Sequence, residues 1–170
     1  MSKALSIVGF SGSGKTELIC RLLDWFVRQG LKVAVLKHTH HHDPGDHGKD
    51  TWRFRQAGAR VVALAASGML QISHSFPEEP PLLMILESLS AEVDLILVEG
   101  YKSGPLPKIV VLNSASQERL PDLTQVIALV GPASAAAAVP VFQPGEVAAI
   151  GGFILAHLGL PGSGGSFSES

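Results

Sequence analysis

The sequence predicts an α/β fold: a mainly parallel sheet with helices on both faces and one inserted β-hairpin. Three observations predict it. Short apolar runs alternate with stretches of helical periodicity, the pattern of strands joined by crossover helices. The first apolar run ends in a glycine-rich octapeptide that opens directly into an amphipathic helix. Two strand-like runs at 60–66 and 69–74, separated only by Ser67-Gly68, break the alternation as a hairpin does.

Taken in order, residues 4–8 are a short apolar run ending at a glycine and read as a buried strand. Residues 16–29 read as a helix, with Leu18, Ile19, Leu22, Leu23 and Phe26 on one face. Glu17 and Arg21, then Asp24 and Arg28, form correctly ordered i,i+4 pairs on the other, and Gly30 is placed to stop the helix. Residues 32–36 are a second buried strand. Residues 37–49 are polar, rich in histidine and broken by Pro44, Gly45 and Gly48, so they read as a loop. A short helix follows at 50–56, closed by Gly58, and then the hairpin. Residues 80–90 form a helix with its prolines at the start, where they are tolerated. Strands follow at 94–98, 108–112, 125–130 and 139–142, and a final helix at 146–158. Residues 1–160 are expected to form one domain, and the Gly/Ser-rich residues 161–170 a disordered tail.

Composition narrows the class. Of 170 residues, 46% are hydrophobic and 16% charged, which excludes a disordered chain. A formal net charge of −2 argues against a sequence-blind binder of nucleic acid, because phosphate binding needs a positive surplus. Any anion site must therefore be local. The single cysteine, Cys20, cannot form an internal disulfide. Mean hydropathy is +0.29, yet the apolar runs fall far short of the ~20 residues that span a membrane. Residues 1–5 lead straight into a strand without a signal-peptide cleavage pattern. A cytoplasmic protein with no membrane contact is expected, its excess hydrophobicity spent on a buried parallel sheet or a subunit interface.

The octapeptide Gly9-Phe10-Ser11-Gly12-Ser13-Gly14-Lys15-Thr16 matches G-x-x-x-x-G-K-[ST] at every fixed position. It sits between a strand and an amphipathic helix, the context that a P-loop NTPase fold requires. Glycines let the backbone wrap a phosphate with its amides pointing inward, and the helix N-terminus adds its positive end. Lys15 is expected to reach the β- and γ-phosphates and Thr16 to ligate Mg²⁺. Gly9, Ser11, Gly12, Ser13, Gly14, Lys15 and Thr16 are thus the candidate nucleotide-binding set. The strand at 94–98 is followed by Glu99-Gly100 where such folds usually place Asp. Glu99 stands at the carboxyl end of a buried strand, where ligands of open α/β sheets collect. It is expected to hold Mg²⁺ through water or to position the attacking water, making it and Lys15 the catalytic candidates. Asp94 reads as a strand-entry residue. No Asn-Lys-x-Asp occurs, so the base is not readable from spacing; the loops at 131–132 and 143–145 are placed by topology to touch it.

A histidine loop begins where the second strand ends. Lys37, His38, His40, His41, His42, Lys49 and Arg53 form either a patch for an anion or substrate, a site for zinc or another divalent metal, or an inert polar loop. The metal reading lacks a cysteine or paired carboxylates at fixed spacing, and histidines alone are weak evidence. Asp50 opens the following short helix, as a Mg²⁺ carboxylate, an N-cap or both. His74 and His157 read as structural.

These segments together resemble the MobB family, the molybdopterin-guanine dinucleotide biosynthesis adapter proteins. The resemblance is carried by residues 9–16, Lys37-His38-Thr39-His40-His41, Gly48-Lys49-Asp50-Thr51-Trp52-Arg53, Ala57-Gly58-Ala59, residues 94–102 ending in Val98-Glu99-Gly100-Tyr101-Lys102, and Pro107-Lys108-Ile109. One departure is Glu17, where relatives commonly have a second Thr; it lies outside the phosphate cradle. The resemblance implies a cytoplasmic homodimer that binds GTP, hydrolyses it weakly and acts with the guanylyltransferase that attaches GMP to molybdopterin. Molybdopterin itself is a candidate second ligand. The implied metal set is Thr16 with Asp50 and Glu99, and the implied fold is the dethiobiotin-synthetase-like branch of P-loop proteins. Two other functions use the same loop: an ATP-dependent small-molecule kinase or ligase, and a metallochaperone NTPase carrying metal on its histidines. Arg53 is the one local candidate for an arginine finger in the same chain, so turnover without a partner is expected to be slow. The hairpin is apolar along both strands, with Arg60 as its only charge, and is expected at a sheet edge that a second copy covers.

Overall fold

The computed structural model describes residues 3–39, 45–113, 123–132 and 137–161. In chain order the elements are β1 (Ala4–Gly9), α1 (Lys15–Arg28), β2 (Val33–Lys37), α2 (Asp50–Gln56), β3 (Val61–Ala66), β4 (Met69–His74), α3 (Leu82–Ser90), β5 (Leu95–Glu99), β6 (Lys108–Val111), β7 (Val126–Val130), β8 (Val141–Phe142) and α4 (Val147–Leu158). Each expected element is present, with small shifts at its ends. Most of the expected tail, residues 162–170, lies outside the described residues. The chain divides into two compact units, Met1–His38 with Ile85–Ser170, and Thr39–Met84.

The first unit is a six-stranded sheet in the order β2-β5-β1-β6-β7-β8, and every pairing is parallel. A parallel strand covered on both faces needs no polar alternation. Accordingly β1 is buried from Ala4 to Val8, β5 from Leu95 to Val98 and β6 throughout. Residues of one face (Leu5, Ile7, Leu95, Leu97, Ile109, Val111, Ala128 and Val130) pack against Leu18, Ile19, Leu22 and Phe26 of α1 and Ile150, Ile154 and Leu155 of α4. Fully burying a side chain of this size stabilises by roughly 1.5–3 kcal/mol, so this layer is the main source of the unit's stability. The opposite face has a smaller cluster of Val8, Val110, Leu112 and Leu129. On the outer surface of α1 both expected pairs form, Arg21–Glu17 at 2.7 Å and Arg28–Asp24 at 2.9 Å. Asp94 accepts the Lys32 amide at 2.8 Å, at the end of the sheet where β5 begins, which is the structural role expected of it.

The second unit contains α2 and the hairpin. Asp46 pairs with the Arg55 guanidinium through both carboxylate oxygens and accepts the Thr51 hydroxyl at 2.9 Å. Arg55 and then Thr51 hold the Asp46 carboxyl down to about 2, so this clamp stays charged at any ordinary pH. The hairpin does not extend the six-stranded sheet, contrary to expectation. Its strands pair only with each other, Val61 opposite His74 through Ala66 opposite Met69, and form a separate two-stranded sheet. Of its residues only Val62 is buried. Cross-strand register puts Val61, Ala63, Ala65, Leu70, Ile72 and His74 on one face, and that face is exposed.

The meeting of α1 and α4 yields a paired expectation. A Cβ on Gly151 would stand 2.4 Å from Trp25, a rigid ring, whereas the neighbouring Gly152 has nothing within 4 Å. Replacing a helical glycine by alanine gains up to about 1 kcal/mol in propensity, but overpacking a filled contact costs about 1–3 kcal/mol. Gly151→Ala should therefore lower the urea midpoint, and Gly152→Ala should leave it unchanged or raise it. Equal effects in the two variants would refute the close helix contact.

Candidate functional site

The phosphate loop joins β1 to α1. It can follow its path because Gly9 carries no side chain: a Cβ there would lie 2.4 Å from the Val111 carbonyl oxygen and 2.7 Å from Ser13 Oγ. Gly12 and Gly14 are left-handed, and Gly14 is the N-cap of α1. The Lys15 ammonium donates to the Phe10 carbonyl at 2.6 Å, and the Ser13 amide donates to the same oxygen at 3.2 Å. Ser13 Oγ is buried inside the loop and makes no hydrogen bond within the protein. A bound oxyanion would satisfy it, as buried hydroxyls require.

Glu99 closes the other side. The β1–β5 register sets Ile7 beside Glu99, and the β2–β5 register sets Lys37 beside Glu99. One carboxylate oxygen accepts the Thr16 hydroxyl at 3.0 Å; the other faces the Lys37 ammonium at 3.4 Å. The Glu99 side chain is only 13% exposed. Burial pushes the Lys15 ammonium below its ordinary value; Lys102 and Lys37 push the same way and Glu99 opposes them. The donor set fits the groups expected: glycine-rich backbone, an ammonium and an inward hydroxyl for phosphate, and a hydroxyl with a carboxylate for Mg²⁺, which prefers hard oxygen ligands.

The expected site residues divide. The loop Gly9–Thr16, Glu99 and Lys37 come together. His38 continues the β2–β5 ladder, its amide donating to the Glu99 carbonyl at 2.9 Å, and its ring lies on Tyr101 with centroids 4.2 Å apart. Lys49, Asp50 and Arg53 belong to the second unit. There Asp50 faces Arg53 at 3.6 Å on an exposed surface, and Lys49 rather than Asp50 is the N-cap of α2. His40, His41 and His42 lie outside the described residues. Among the described residues no group of three His, Cys, Asp or Glu is placed to hold a metal ion. Gly131–Pro132 and Gln143–Gly145 follow β7 and β8, at the same end of the parallel sheet as the phosphate loop.

Two lysines in the segments that carry the resemblance had no site role of their own in the sequence. Lys102 lies over the Phe10 ring, 5.3 Å from its centre. Lys108 is fully buried and donates to the Gly104 and Leu106 carbonyls at 2.6 and 2.9 Å. A Glu-Gly pair ending a buried strand was the available signal for the first, since it implies a reversal of the chain over the site.

Comparison with known proteins agrees with this geometry. The family model described as "Molybdopterin guanine dinucleotide synthesis protein B", MobB, matches residues 4–132. The molybdopterin-guanine dinucleotide biosynthesis adapter protein of Haemophilus influenzae is 35% identical over 125 residues, covering 72% of this chain and 70% of the relative. Its counterpart in Escherichia coli is 34% identical over 127 residues, covering 72% and 73%. A crystal structure of a molybdopterin-guanine biosynthesis protein B superimposes with a TM-score of 0.75 at 31% identity, over 91% of this chain and 99% of that one. The match takes in the phosphate loop, the β5 terminus and the hairpin between them, and the chain belongs to the MobB family.

Proposed function

We propose that this protein binds GTP with Mg²⁺, hydrolyses it slowly and acts as an adapter to the guanylyltransferase that makes molybdopterin guanine dinucleotide. One observation carries the nucleotide reading: Thr16, Glu99 and Lys15 converge on a phosphate loop whose glycines leave room for a ligand. Family membership and the names of the relatives support the adapter role. The setting proposed is the cytoplasm, where GTP is supplied. Among the described residues no helix is long and apolar enough to cross a membrane.

In this reading the loop amides and Lys15 hold the β- and γ-phosphoryl oxygens, and Lys15 gives up the Phe10 carbonyl to do so. Thr16 ligates Mg²⁺, and Glu99 holds it through water or orients the attacking water. Bound Mg²⁺ supplies charge neutralisation across the phosphoryl oxygens. Lys37, 3.4 Å from one oxygen, keeps the Glu99 carboxylate aimed.

Lys15→Ala should fold normally and lose about ten- to a hundred-fold in triphosphate affinity, the worth of one hydrogen bond to a charged group. Titration with GTP and with ATP, both with Mg²⁺ at one ionic strength, checks this and the base. Unchanged affinity in the variant would remove the phosphate-loop assignment, and a preference for ATP would favour the kinase or ligase reading. Glu99→Gln should lower turnover by about ten-fold or more while GTP affinity changes little, since it disturbs the transition state more than the ground state. Equal turnover would make Glu99 structural.

The reading includes a homodimer formed through the hairpin. Its support is the exposed face of Val61, Leu70 and Ile72, since an uncovered apolar sheet face of this kind marks an interaction site. Sedimentation at micromolar concentration should give a dimer, and Leu70→Glu should dissociate it. A monomeric parent refutes the dimer; a dimer indifferent to Leu70→Glu places the interface elsewhere.

A further inference from the structure

The chain leaves β5 through two consecutive left-handed residues, Gly100 at φ +106° and Tyr101 at φ +52°. A bulky residue rarely adopts that conformation unless its surroundings hold it there. Here the surroundings do. The Tyr101 ring lies against the His38 ring, and a Cβ on Gly100 would come 3.1 Å from His38 Cβ, so the turn is packed tightly on the end of β2. The Gly104 amide donates to the Tyr101 carbonyl at 2.9 Å. Lys108, buried beneath, fixes the same loop through the Gly104 and Leu106 carbonyls. This fixed reversal delivers Lys102 to the phosphate loop. Its side chain is exposed and its ammonium rests over Phe10, at the rim of a small apolar cavity that Val110, Leu112 and Leu123 also line.

We propose that Lys102 is a second phosphate-binding cation of this site: its ammonium moves from the Phe10 ring onto the terminal phosphate of the bound triphosphate and supplies, within the chain, the charge an arginine finger supplies elsewhere. The inference rests on the nucleotide reading above. The position favours the terminal phosphate over the base. Lys102 follows Glu99, which meets Thr16 on the metal side, and its charge acts on Lys15, the residue that reaches the β- and γ-phosphates. Lys15, Lys37 and Lys102 stand against one carboxylate, the balance of sign that a polyanion needs. A cation over an exposed ring is held more weakly than one on a phosphate oxygen, so the ring is a resting seat. In hydrolysis the water oxygen bonds to the γ-phosphorus as the bond to the β–γ bridging oxygen breaks. That electron pair leaves with GDP, and the water proton passes to the phosphate product or solvent. Lys102 changes no bond; it offsets charge on the γ-oxygens. A lysine makes this contact as a point charge without the planar fork of arginine, in keeping with slow turnover.

The test uses full-length Lys102→Ala and Lys102→Arg with Mg²⁺, reading GTP affinity, GDP affinity and single-turnover hydrolysis. Lys102→Ala should slow hydrolysis by about ten-fold or more. It should weaken GTP several-fold and leave GDP within about two-fold of the parent, because GDP lacks the phosphate concerned. Lys102→Arg should restore most of the rate. A parent that binds GTP and a Lys102→Ala variant that hydrolyses it equally fast overturn this inference alone. Equal losses for GTP and GDP also overturn it, assigning Lys102 to the shape of the loop. A parent with no affinity for GTP overturns it together with the nucleotide reading.

Discussion

β1 lies between β5 and β6, and its register with each decides where the charged groups at the carboxyl end of the sheet stand. Pairing Ile7 with Glu99 sets the carboxylate beside the first turn of α1, within reach of Thr16. Pairing Gly9 with Val111 brings the β6 backbone so close that only glycine can begin the loop. A slip of one residue in either ladder would turn every β1 side chain to the other face, exchanging Leu5 and Ile7 of the larger cluster with Ser6 and Val8. The apolar layer thus specifies the register, and the register specifies the site.

Much of this was legible in the sequence because it rests on periodicity and on one short motif. The two-residue and 3.6-residue periods separated strands from helices, and strand–loop–helix context located the phosphate loop. Glu99 was legible because it directly follows a buried run. The placement of the hairpin was not. Its strands look alike in sequence whether they extend a larger sheet or pair alone, since backbone hydrogen bonding leaves no trace in side-chain pattern. The position of Lys102 was hidden for a related reason: it depends on a left-handed Tyr101, a conformation packed against the distant His38 as well as closed locally by the Gly104 amide. Lys108 read as an ordinary strand residue, and its burial depends on two carbonyls of the preceding loop that accept its ammonium. The helix opened by Asp50 was legible with its ends, but its cap was not: Lys49 rather than Asp50 is the N-cap, since that choice depends on backbone angles just outside the helix.

The charge around the phosphate loop differs from that of the chain as a whole. The protein is slightly acidic, yet Lys15, Lys37 and Lys102 gather where β2, β5 and α1 end or begin. Each is held by a different device: a carbonyl of the loop for Lys15, a carboxylate for Lys37, an aromatic ring for Lys102. These holds differ in strength, so the three ammonium groups respond differently to an anion. Such a site concentrates positive charge locally without making the whole surface attractive to nucleic acid.

The strand order also bears on how the chain folds. The strands that flank β1, β5 and β6, both come from the second half of the sequence. During synthesis β1 and the phosphate loop therefore emerge long before either neighbour exists. The hairpin, by contrast, closes on itself through local contacts, which form quickly. Assembly of the central sheet must wait for distant segments, and apolar β1 stays unpaired until they arrive. A chain of this topology should depend on slow, late docking of its central strand, and the interval before that step is when it is most open to aggregation or to chaperones.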